Sequence, residues 1–126
     1  MFYLSTNIAA ETASDAAESF LCLPIAAKLN SVRLVPDVAV TAHDTNYVTL
    51  TIADNAAAAL FSQTTKTVSG GGGGDLTAGT AITVTFTGGS TEFDAGEKVK
   101  LRSAASGSGV VCAFTAVFEF EPMRTL

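Results

Sequence analysis

Residues of the kinds that do chemistry are few in this chain, and they are scattered. A single histidine, His43, stands beside Asp44. That pairing is the beginning of a general-base site, but nucleophilic catalysis needs a convergent third partner, and no nucleophile elbow and no second histidine accompany it. His43 and Asp44 are therefore expected in an exposed turn. Asp37, Asp44, Asp54, Asp75 and Asp94 offer oxygens of the kind calcium takes, yet none has EF-hand spacing, and aspartates at strand ends ordinarily serve turns. The run of five glycines at 70–74 is followed by Asp75 and Leu76. A phosphate loop would continue with Gly-Lys-Ser/Thr and open a helix, so the run reads as a mobile loop tip. Cys22 and Cys112 lie in the apolar runs FLCLP and VVCAF. They are expected as buried free thiols, and with no CxxC pair or Cys/His cluster a zinc site has no ligands. These residues together predict no catalytic residue, no metal, no cofactor and no enzyme.

Contact chemistry is better represented. Lys98, Lys100 and Arg102 alternate with Val99 and Leu101, which puts three cations on one outward strand face. Such a stripe faces either an acidic partner surface or water. Phe20, Leu21, Cys22 and Leu23 form a run that is apolar on both faces, expected to be buried on both sides within the fold or against a partner. Phe2, Tyr3 and Leu4 make an apolar tip at the N-terminus. The expected partner-binding residues are accordingly Phe2, Tyr3, Leu4, Phe20, Leu21, Leu23, Lys98, Lys100 and Arg102.

The elements that carry these residues read as strands. Residues 30–55 hold two β-runs, 31–35 and 47–53, with Val48, Leu50 and Ile52 alternating against Tyr47, Thr49 and Thr51. The same period of two returns at 81–87, at 97–102 and over 110–121, where Val110, Cys112, Phe114, Ala116, Phe118 and Phe120 share a face. Residues 56–61 are expected to be extended. The outcome is an all-β fold, an antiparallel β-sandwich of about seven to eight strands, either jelly-roll or immunoglobulin-like. Its expected core is Val48, Leu50, Ile52, Ile82, Val84, Phe86, Val99, Leu101, Phe114 and Phe118. Residues 1–18 read as an N-terminal arm, extended or with a short helix, and residues 19–126 as the sandwich domain. A net charge of −5 over 126 residues, with no basic cluster, makes nucleic acid a poor partner. No stretch of about 18 apolar residues exists to span a membrane, and the N-terminus has no signal-peptide pattern.

Residues 31–55 (SVRLVPDVAVTAHDTNYVTLTIADN), then GDLTAGTAITVTF (74–86), FDAGEKVKL (93–101) and SGSGVVCAFTAVFEFEP (106–122), resemble the small β-sandwich decoration, or cement, proteins and related head proteins of tailed bacteriophages. About two-thirds of the chain carries the resemblance. The glycine run and residues 1–18 depart from the family pattern. The resemblance implies a structural virion protein on the outer capsid surface, partnered by the major capsid protein and by itself as a homotrimer. It transfers no functional residue, because the matching motifs are scaffold. The other reading is a fibre or tail-associated module that recognises a surface or carbohydrate, which the absence of tryptophan disfavours.

Overall fold

A computed structural model describes residues 1–8, 16–107 and 113–123. Eight strands follow one another: β1 (Phe2–Ile8), β2 (Ala16–Cys22), β3 (Ala27–Pro36), β4 (Val48–Ala53), β5 (Ala59–Thr64), β6 (Glu92–Phe93), β7 (Lys98–Ala105) and β8 (Phe114–Pro122). They form two four-stranded sheets, ordered β1-β8-β3-β6 and β2-β7-β4-β5, and every pairing is antiparallel. The nesting of β1 with β8, β2 with β7, β3 with β6 and β4 with β5 is jelly-roll order, which removes the immunoglobulin-like alternative. No helix occurs among the described residues.

The core forms where the inward faces of the two sheets meet. Phe114, Ala116, Phe118 and Phe120 of β8 are fully buried, as are Leu50 and Ile52 of β4 and Val99 and Leu101 of β7. Their outward neighbours are mostly threonines, lysines, arginine and glutamates, with Val117 the apolar exception, so each strand obeys the two-residue period that its sequence displays. Phe93 meets Phe120 edge-on at 6.3 Å between ring centroids, and Phe118 stacks on Phe120 at 6.4 Å. Of the ten expected core residues, Val48, Leu50, Ile52, Val99, Leu101, Phe114 and Phe118 are buried. Ile82, Val84 and Phe86 are half-buried and pack against the core's rim.

Several expectations are corrected. Residues 81–87 alternate but make no ladder: Ile82 bridges Leu34 of β3, and the Thr87 N–H donates to Leu60 of β5. The segment crosses from one sheet to the other, so its apolar side is covered while its backbone has no continuous strand beside it. Residues 2–8 and 16–18 are strand rather than arm. Phe2–Ile8 pairs with β8 along its whole length, from Phe2 opposite Phe120 to Ile8 opposite Phe114, and residues 16–18 begin β2; residues 9–15 lie outside the described residues. The aromatic core explains this, because Phe2 stacks on Phe120 at 5.4 Å and Ile8 is buried. Within the chain residues 20–23 are covered on one side only, so burial on both sides inside the fold is overturned. The strand β2 is a sheet edge, Phe20 and Cys22 point outward, and only Leu23 is fully buried. Cys22 is thus an exposed free thiol, and Cys112 lies outside the described residues.

The glycine run is a folded turn rather than a loose tip. Amides of Gly70, Gly72, Gly73 and Gly74 donate to carbonyls of residues 64–67. A Cβ on Gly72 would stand 2.4 Å from the Lys66 carbonyl oxygen, so here glycine is needed for close backbone approach.

Candidate functional site

Hydrogen bonding within the fold accounts for most of the chemistry-bearing residues. His43 is exposed, and its Nδ1 accepts the backbone N–H groups of Thr45 at 3.1 Å and Asn46 at 2.9 Å. That nitrogen caps a turn. Asp44 accepts from the Thr67 hydroxyl, Asp37 from the Thr115 hydroxyl and Asp75 from the Ala42 N–H. Asp54 is buried at 7% exposure and takes three backbone N–H groups: Ala56 and Ala58 on Oδ1, Ser90 on Oδ2. It ties the β4–β5 turn to the segment that precedes β6. Among the described residues no three His, Cys, Asp or Glu side chains gather as a metal would need. A cleft of about 290 Å³ beside Asp75 is lined by Gln63, Thr77, Thr80 and Thr83 together with the apolar Leu76, Ala81 and Ile82.

The cationic stripe is different, because it meets residues far away in sequence. The register of β2 on β7 sets Glu18 opposite Arg102, Phe20 opposite Lys100 and Cys22 opposite Lys98, all on the outer face of the sheet. Phe20 is 49% exposed, and two ammonium groups stand over its ring, Lys98 Nζ at 5.5 Å and Lys100 Nζ at 5.3 Å from the centroid. Glu18 Oε1 stands 3.4 Å from Arg102 Nε. On the other side of β7, Thr51 is opposite Arg102, and the buried Ala53 is opposite Lys100. The last strand does not adjoin the stripe, because β8 belongs to the other sheet.

Comparison with protein-family models, with curated proteins and with solved structures finds no match to this chain.

Of the nine partner-binding residues expected from sequence, the fold brings four together: Phe20, Lys98, Lys100 and Arg102. Tyr3 is outward on β1, 63% exposed, on the outer face of the other sheet. Phe2 and Leu4 face the core and are half-buried; Leu21 packs against the core, and Leu23 is 1% exposed. These four serve the interior, because alternation along β1 and β2 turns every second side chain inward. Glu18, Cys22 and Thr51 were missed on the sequence alone. Glu18 was open to detection, being two residues before Phe20 and thus on its face if 16–22 is one strand.

An exposed ion pair and two exposed cation–π contacts contribute about 0–1 kcal/mol each to stability. The face is therefore a poor fold stabiliser. It is an exposed surface that offers an aromatic ring with two positive charges close to it.

Proposed function

We propose that the chain is a structural virion protein, a capsid decoration or cement protein that docks on the outer surface of a phage head and stabilises it. The observation that carries this reading is the outer sheet face on which the exposed Phe20 ring is approached by the ammonium groups of Lys98 and Lys100. Surface contacts of this kind are weak singly and strong when many copies bind one lattice. Two further features support it. The resemblance over residues 31–122 implies a head protein of tailed phages, and the jelly roll is an architecture used by viral capsid proteins. A homotrimer partnered by the major capsid protein is part of the proposal, by way of that same resemblance.

Co-sedimentation with empty phage heads tests it. The protein is expected to pellet with the heads at a fixed number of copies per head and to raise the temperature at which the heads rupture. Recovery of the protein only in the supernatant, with rupture unchanged, would overturn the reading.

A further inference from the structure

We infer that the outer face of β2 and β7 is the docking surface and that its partner is a carboxylate-rich protein surface, with Phe20 as the apolar anchor and Lys98 and Lys100 as the charge readers. The inference rests on the decoration reading and supplies the face and the partner chemistry which that reading lacks.

Charge distribution is the first argument. Lys98, Lys100 and Arg102 with Glu18 carry a net +2, in a chain whose total is −5, so the remainder carries −7. On the opposite sheet the outward cations have carboxylates in register: Lys28 is directly opposite Glu121, and Glu119 is opposite Ser31, two positions from Arg33. On the β2–β7 face one carboxylate, Glu18, takes up Arg102, and Lys98 and Lys100 stand over an aromatic ring instead. Uncompensated positive charge is thereby concentrated next to the half-exposed ring.

Geometry is the second. Lys98 and Lys100 are two residues apart on one strand, so their stems leave the sheet about 7 Å apart. Two acidic side chains at i and i+2 on a partner strand, or one helical turn apart, match that separation. Phe20, directly opposite Lys100 on the neighbouring strand, supplies apolar area at low entropic cost, which is the composition of an interface hot spot: an aromatic anchor with cations beside it. A nucleic acid or an anionic bilayer would present extended negative charge to the whole molecule, including the −7 remainder within about a Debye length, whereas a local carboxylate cluster meets the stripe alone.

Poly-L-glutamate is the test probe, with oligothymidylate and phosphatidylserine vesicles as the other arms. Cys22 is an exposed thiol directly opposite Lys98, so its alkylation, resolved from Cys112 by peptide mass spectrometry, reports occupancy of this face. Poly-L-glutamate is expected to slow Cys22 alkylation about fivefold at low salt and to lose that effect near 0.3 M salt. The Lys98→Glu/Lys100→Glu protein, and the milder Lys98→Gln/Lys100→Gln, are expected to lose the protection, and Phe20→Ser to weaken it. The Lys28→Glu/Arg33→Glu control on the other sheet is expected to keep it, with far-ultraviolet circular dichroism the same for all. Equal loss in the control, no salt-sensitive protection, or stronger protection by oligothymidylate or vesicles would overturn the inference. Heads separate the two readings. If wild type and Lys98→Glu/Lys100→Glu co-sediment with heads equally, this face is refuted and decoration stands. If wild type ignores heads while poly-L-glutamate protects Cys22, decoration is refuted and the face stands.

Discussion

A double-mutant cycle between Phe2 and Phe120 tests whether the N-terminal segment is an integral strand. The two rings stack at 5.4 Å with planes 17° apart, and Phe120 is fully buried while Phe2 is half-buried. Phe120→Leu keeps an apolar side chain but removes the ring, with an expected loss of about 1–2 kcal/mol. Phe2→Ala removes a partly buried ring at a similar cost, about 1–2 kcal/mol. Both singles should stay folded, since small domains have about 5–15 kcal/mol in hand. Stacked aromatics contribute about 0.5–1.5 kcal/mol beyond burial, so the double mutant should be that much more stable than the sum of the singles predicts. Guanidinium melts followed by far-ultraviolet circular dichroism measure all four proteins. Coupling within about 0.3 kcal/mol of zero is what independent sites give, and it would refute the placement of β1 on β8. Deleting residues 1–8 strips seven register partners from β8 and should abolish the cooperative melt altogether.

Three other residues carry sharp expectations. Asp54→Ala leaves three backbone N–H groups without their charged acceptor and should cost about 2–4 kcal/mol in denaturant melts, with Asp54→Asn recovering part of it. His43→Ala should cost about 1 kcal/mol, as the loss of a cap does, and leave head binding unchanged; a null effect on stability would mean that the Nδ1 contacts do not form in solution. Ser103 is fully buried on β7, and its hydroxyl has no hydrogen-bond partner among the described residues. Ser103→Ala should therefore stabilise by about 1 kcal/mol, and a comparable loss in thermal melts would reveal a partner for the hydroxyl.

Strand identity was legible because a sheet with one buried face writes its period directly into the chain. Val48, Leu50 and Ile52, Val99 and Leu101, and Phe114, Ala116, Phe118 and Phe120 recur at every second position, and each of them is buried. The same signal misled at residues 81–87. Alternation reports that one side is covered; it does not report which backbone, if any, lies alongside. At the N-terminus the signal was present and undervalued: Phe2, Leu4 and Ile8 alternate with Tyr3, Ser5 and Asn7, yet the segment's position at a chain end suggested an arm. Residues 20–23 were ambiguous in principle, since a continuous apolar run has no period from which to choose an outward face.

The sequence by itself determined the all-β class, the inward set of the long strands and the existence of a three-cation stripe, since all of these depend on neighbours within a few residues. Strand order decided everything else. Phe20 and Lys100 are 80 positions apart and meet only because β2 pairs with β7. The jelly-roll nesting, the stacking of Phe2 on Phe120 and the three-way grip of Asp54 likewise join segments that no local pattern connects. Such contacts arise from the closing of two sheets over one core, a free energy shared by the whole chain, and local spacing carries no record of it.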